Sequence, residues 1–227
     1  MESMRYAAQK VGEIGGKLVT FRLHKYGAVR SDNKYFNTEC RSTALLSQSI
    51  VLTFPTGRKT PDHQGGFLLD GGVHFVAGLR FLLAVLGQEI KQLAGFSALL
   101  DEKLPPVDTV HAVALTQDGN SGTIGISFGT EFKDVLEIEI VTTNGAVVWS
   151  PTEIKSVARK GDEKVEETKQ FPYSSGVKPE VAAFGQAIDA GKLDVLQTPA
   201  EALKDLEILQ RLLESGAGGA TVQTIGV

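Results

Sequence analysis

The chain has 227 residues, 42% of them hydrophobic, which suits one sizeable core and excludes the disordered class. A formal charge of -4 with no basic stripe argues against a nucleic-acid partner. The single cysteine, Cys40, excludes an internal disulfide framework and fits a reducing compartment, so a cytoplasmic location is expected.

Residues 3–14 place Met4, Ala7, Ala8, Val11 and Ile14 on one face of a helix. Ser3 is its expected cap, and Gly15-Gly16 its stop. KLVTFRLHKYGA then alternates as a strand, with Leu18, Thr20, Arg22 and His24 against Val19, Phe21 and Leu23. Residues 42–64 show no clear period between two turn-like pieces and read as an irregular insertion.

A strongly apolar helix is expected over residues 71–86. The stretch from residue 73 is broken by His74 and Arg80 and is short for a bilayer span, so no membrane partner is expected. Six strand-like runs follow between residues 89 and 159, separated by turn signals such as QDGNSG and TTNG. Phe128, Ile138, Ile140, Val147 and Trp149 are suited to one face of an antiparallel sheet. RKGDEKVEETKQ reads as a solvated hairpin or loop.

Two helices close the order. KPEVAAFGQAIDAG keeps Val181, Phe184 and Ile188 on one face. TPAEALKDLEILQRLLESG carries Thr198 as cap with Glu201 three residues on, and Leu203, Leu206, Leu209 and Leu213 as its expected buried stripe. TVQTIGV is expected to add a last strand. The fold class is α+β: an open, mostly antiparallel β-sheet with helices on one face, in a single domain over residues 1–227.

Several chemistries are missing from the pattern. No G-x-G-x-x-G links a strand to a helix, and there is neither a G-x-S-x-G elbow nor an H-E-x-x-H helix. The residues that stand out lie in GGFLLDGGVHFVAGLRFLL. Asp70 reads as a helix cap, and Gly71 and Gly72 would let a substrate approach the backbone beside free N–H donors. Asp70 and His74 sit one turn apart, a carboxylate and an imidazole able to work as an acid–base pair on one substrate. Arg41 and His63 are further substrate-binding candidates. The spacing of His63, Asp70 and His74 matches no metal-ligand motif, so no metal is assigned.

At these residues the sequence resembles the C-terminal domain of the glucose–fructose oxidoreductase / inositol dehydrogenase (Gfo/Idh/MocA) family, through its D-x-G-x-H segment. The likeness extends to GEIGGKLVTF, PPVDTVHAVAL and the closing TPAEALKDLEILQRLLESG helix, and is nearest in wording to fungal, yeast-type members. It implies an α+β substrate-binding and dimerisation domain, normally preceded by a nucleotide-binding domain, in an NAD- or NADP-dependent oxidoreductase. It also implies catalytic roles for Asp70 and His74, a small-molecule substrate such as a sugar or polyol, and a homodimer formed through the sheet. The sequence departs from the family pattern in three ways. No nucleotide-binding motif or catalytic Lys segment precedes the domain, Ala77 stands where many members carry Asp, and about 20 extra residues precede PDHQGGF.

By this resemblance the chain is the substrate-domain portion of an oxidoreductase, not redox-active alone. Two other readings stay open: a cofactor-independent lyase, isomerase or cyclase using the Asp70/His74 pair, and a non-enzymatic module that binds a small molecule or dimerises.

Overall fold

The computed structural model describes residues 1–33, 36, 66–192 and 194–226. Helix α1 (Glu2–Ile14) leads into strand β1 (Leu18–Tyr26), and helix α2 (Gly66–Ala84) follows. Seven consecutive strands come next: β2 (Ile90–Ala98), β3 (Thr109–Thr116), β4 (Ser121–Ser127), β5 (Val135–Thr142), β6 (Gly145–Trp149), β7 (Glu153–Lys160) and β8 (Glu163–Gln170). Helix α3 (Val177–Asp189), a 3-10 turn (Val195–Gln197), helix α4 (Pro199–Ala217) and the short strand β9 (Gln223–Thr224) complete the order.

The strands form one nine-stranded sheet in the order β8-β7-β6-β5-β1-β4-β3-β2-β9. Every pairing is antiparallel except β1 with β4, which is parallel. That exception follows from topology: β1 is inserted between β4 and β5, and can be antiparallel to only one of them where the β4–β5 connection crosses it. The open, mostly antiparallel sheet expected from the sequence is the one observed.

Alternation along each strand buries one face. Phe21, Leu23, Ile124, Ile126, Ile138, Ile140, Val147 and Trp149 are all within 3% of full burial, and α1, α2 and α4 lie over them. Leu68, Val76, Leu79, Leu82 and Leu83 of α2 are fully buried, each worth about 1.5–3 kcal/mol relative to exposure. Helix α2 starts earlier than expected and runs 19 residues at a mean hydropathy of 1.5, long and apolar enough to cross a bilayer by composition. Its buried stripe is instead seated on the sheet and on α4, as in the core helix of a globular domain.

Three local expectations are corrected. Ser3 does not cap α1: Met1 holds that position, and Ser3 is buried, its hydroxyl accepting the indole N–H of Trp149 at 3.1 Å. The buried stripe of α4 is rotated, because Ile208, Leu209, Leu212 and Ser215 face inward while Leu203 and Leu206 are 52% and 39% exposed. Two polar contacts set that rotation. Arg80 of α2 bonds the carboxylates of Asp205 and Glu201, and Ser215 Oγ accepts the Gly95 N–H of β2 at 2.9 Å. Among the described residues helix α3 is not packed into the core; none of its residues is buried, and Val181, Phe184 and Ile188 are 65%, 51% and 63% exposed. The Thr198 cap is present, its hydroxyl accepting the Glu201 N–H at 3.2 Å.

Candidate functional site

Helix α2 places the site. Asp70 and His74 are four residues apart on a continuous helix, so their Cβ atoms stand on one face about 6 Å apart. Both are exposed, on the side of α2 turned away from its buried stripe. Asp70 is the fifth residue of the helix, so its carboxylate is not at the N-cap, and the capping reading of this residue is withdrawn. A carboxylate in a helix interior has no first-turn N–H groups to cap, and the i, i+4 spacing sets Asp70 on the same face as His74.

The glycines beside the pair do different work from that expected. A Cβ on Gly71 would stand 2.9 Å from Cζ of Phe128, and one on Gly72 would stand 3.1 Å from Cδ2 of Leu209. Their missing side chains bring α2 down onto β4 and α4. Their N–H groups belong to the helical ladder and are not open donors. At the start of the helix, Gly66 has φ +47 and would set a Cβ 2.1 Å from the Pro105 carbonyl oxygen, so that glycine is also required by close approach. Arg41, His63 and Cys40, with the whole of the 42–64 insertion, lie outside the described residues.

His74 opens onto a cleft of about 380 Å³. Phe75 and Gly78 of α2 form one wall, Leu136, Ile138 and Trp149 the floor, and Tyr173 stands at the rim. Phe75 and Phe67 flank the ring of Phe128, the latter edge-on at 4.9 Å. A larger depression of about 660 Å³ between α1 and the β7–β8 hairpin lies elsewhere and is lined by paired charges such as Lys10 and Glu167, 2.8 Å apart. It contains no acid–base pair and is not the candidate site. Among the described residues no group of three His, Cys, Asp or Glu side chains could hold a metal.

Lys25 is a residue that sequence reasoning missed. It ends β1 on the helix-covered face, its ammonium 6.0 Å from the Phe75 ring centroid, 3.7 Å from Asp134 and donating to the Tyr26 carbonyl at 2.9 Å. Burial pushes its pKa below the ordinary lysine value, and Asp134 only partly opposes this. The signal was available: Phe21, Leu23 and Lys25 share one phase of β1, so the strand carries a lysine at an inward position. On the opposite face of the sheet, Tyr26 Oη lies 2.9 Å from His111 Nε2. His24 beside it is held below the ordinary histidine pKa by burial, then by Arg22 and Lys133. That cluster is across the sheet from His74 and outside the site.

Two glycine positions that could suggest a phosphate-binding turn do not form one. The Gly15-Gly16 pair runs from a helix into a strand, the reverse of a phosphate-binding turn, and the first residue of α2 is pressed against Pro105. The described residues place a carboxylate and an imidazole one turn apart on a sheet-backed helix, with His74 beside an apolar cleft.

Comparison with known proteins identifies the family. Residues 16–148 match the GFO/IDH/MocA C-terminal domain, and the chain belongs to that family of oxidoreductases. It is 47% identical over 225 residues to the dehydrogenase FPY6 of Fusarium mangiferae, spanning 99% of this chain and 60% of that protein. It is 27% identical over 231 residues to the uncharacterized protein YMR315W of Saccharomyces cerevisiae, spanning 94% of this chain and 58% of that one. Among solved structures, an oxidoreductase from Thermotoga maritima superposes with a TM-score of 0.75 at 25% identity, over 98% of this chain and 59% of that chain. Levoglucosan dehydrogenase in complex with NADH shares the fold, with a TM-score of 0.73 at 16% identity over 99% of this chain and 63% of that one. The chain thus spans 58–60% of the length of the curated relatives it matches.

Proposed function

We propose that this chain is the substrate-binding portion of a nicotinamide-dependent dehydrogenase, in which His74 exchanges the proton of a substrate hydroxyl and Asp70 assists it. The observation that carries this reading is His74 at the mouth of a cleft with Asp70 exposed one helical turn before it, in a chain of a dehydrogenase-containing family. An imidazole at a cleft mouth can take a hydroxyl proton as the alcohol is oxidised and return it in the reverse direction. Asp70, four residues earlier on the same face of α2, is assigned the assisting role. The hydride acceptor, NAD or NADP, is assigned wholly to the length of the relatives that this chain does not span. The substrate is a small molecule bearing a hydroxyl or carbonyl.

Two exposed surfaces support partners for this portion. The face of the sheet away from α1, α2 and α4 carries Phe96 and Val113, 67% and 53% exposed, and we assign it to a second copy in a homodimer. The stripe of Val177, Val181, Phe184 and Ile188 on α3 is assigned to the nucleotide-binding part. A reducing, cytoplasmic setting accords with the single Cys40.

The test is a chimaera in which this chain replaces the matching segment of the Fusarium dehydrogenase. It is expected to oxidise the substrate of that enzyme with a nicotinamide cofactor, and His74→Ala to lower turnover by about 10²–10⁴-fold. Undiminished turnover in the Asp70→Ala/His74→Ala double variant would overturn the assignment. Turnover by the 227-residue chain with no nucleotide present would favour proton-transfer chemistry instead.

A further inference from the structure

The cleft beside His74 is unlike one made for a polyhydroxylated molecule. Its volume, about 380 Å³, suits a small organic body, and its surface is built from Met1, Met4, Phe75, Leu136, Ile138 and Trp149. The one strong donor among these, the indole N–H of Trp149, is already committed to Ser3 Oγ at 3.1 Å. Ser174 Oγ accepts the Gly176 N–H at 3.1 Å, so it too is partly engaged. The remaining polar groups, His74, Ser175 and the Tyr173 hydroxyl, belong to residues exposed at the rim. A sugar ring in this cleft would turn several hydroxyls toward thioether, aliphatic and aromatic carbon and lose their hydrogen bonds to water. An alicyclic or aromatic ring would meet the same walls at no such cost. Gly78 keeps the space open, since a Cβ there would stand 3.0 Å from Ile138 Cδ1 and 3.1 Å from Met4 Cε.

We infer that the cleft takes the apolar body of the substrate, so that the molecule presenting its hydroxyl or carbonyl to His74 is a secondary alcohol or ketone carried on a mainly hydrocarbon ring or chain. This rests on the proposed role of His74 for the orientation of the substrate, but not for the binding of its apolar part. Tyr173, 74% exposed at the rim, is the specificity-determining residue: its ring extends the apolar wall toward solvent.

The chain supplies its own reporter, because Trp149 is its single tryptophan and lines the cleft. The 227-residue chain is titrated with cyclohexanol, trans-4-tert-butylcyclohexanol and myo-inositol, following tryptophan fluorescence. The expected result is a saturable shift for both cyclohexanols, at least tenfold tighter for the tert-butyl compound, and at least tenfold weaker or absent binding for inositol. Tyr173→Ser, at an exposed position, is expected to weaken the tert-butyl compound at least threefold with an unchanged far-ultraviolet spectrum. Inositol binding as tightly as either cyclohexanol, failure of all three probes to bind, or tert-butylcyclohexanol binding that Tyr173→Ser leaves unchanged would overturn the inference. Loss of turnover on His74→Ala in the chimaera is read separately, so a failed acid–base role and a failed apolar subsite give different results.

Discussion

Arg80 joins α2 to α4, and its removal tests whether that junction sets the position of the helix that carries Asp70 and His74. Its guanidinium bonds the Asp205 carboxylate, donates to Glu201 Oε2 at 2.8 Å and to the Glu201 carbonyl at 3.2 Å. The side chains of Arg80 and Asp205 are only 19% and 10% exposed, so the pair is mostly shielded, whereas Glu201 is 33% exposed and keeps Lys204 at 2.9 Å. Breaking a buried pair costs about 3–5 kcal/mol; allowing for the exposed edge, Arg80→Ala is expected to cost about 2–4 kcal/mol. In urea this is a drop in midpoint of about 1 M or more at unchanged m. The sign with pH is also set. Burial pushes the Asp205 carboxyl up, Arg80 pulling the other way, while Lys204 and then Arg80 hold Glu201 low. Without Arg80 the cost of ionised Asp205 is absent below the ordinary carboxylate range and grows as pH climbs through it. The support given to Glu201 exists only above that range. Both effects make the deficit larger at pH 7 than at pH 4. An Arg80→Met/Asp205→Leu double variant removes both charges and is expected to recover most of the loss. A deficit under about 0.5 kcal/mol at pH 7, or one that grows on acidification, would refute this account.

Gly71→Leu forces a side chain into the Phe128 ring, where even a Cβ stands at 2.9 Å, and is expected to cost about 1–3 kcal/mol by thermal or urea unfolding. Asp108 is fully buried and accepts the N–H groups of Leu100 and Asp101 at 3.1 and 2.6 Å and the Thr109 hydroxyl at 2.8 Å. Asp108→Ala leaves those donors unmet and is expected to cost about 2–4 kcal/mol, with hydrogen exchange accelerated in residues 99–108. The Val181→Asp/Phe184→Asp variant alters only exposed side chains, so the stability of the 227-residue chain is expected to stay within about 0.5 kcal/mol. In the chimaera the same variant is expected to raise protease sensitivity between the two parts; equal sensitivity would remove α3 from the docking surface.

What the sequence made legible was whatever a local period determines. Strand alternation picked out Phe128, Ile138, Ile140, Val147 and Trp149, and all five are buried. The i, i+4 spacing of Asp70 and His74 carried over unchanged, because a helix interior fixes it whatever the helix packs against. The start of α2 was misplaced by five residues because its glycines looked like a ligand-binding turn. They are glycines for an interhelical and helix–sheet reason that only Phe128, Leu209 and Pro105, distant in sequence, reveal.

The same limit explains α3 and α4. An apolar period says that a face will be covered and is silent about what covers it. Helix α4 carries apolar residues on two adjacent faces, and the choice between them is made by Arg80 against Asp205 and by Ser215 against Gly95, contacts more than a hundred residues apart in sequence. Helix α3 carries one clear stripe and finds no partner for it among the described residues of the sheet. Four large apolar side chains on one stripe, each more than half exposed, are costly to leave in water. Under the proposed function, that stripe is one half of an interface. Under the proposed function Asp70 and His74 move the proton, and the hydride acceptor is carried by the length of the relatives that this chain does not span. On that reading the exposed stripe of α3 is the surface that the acceptor-carrying part covers, and the Val181→Asp/Phe184→Asp variant is its test.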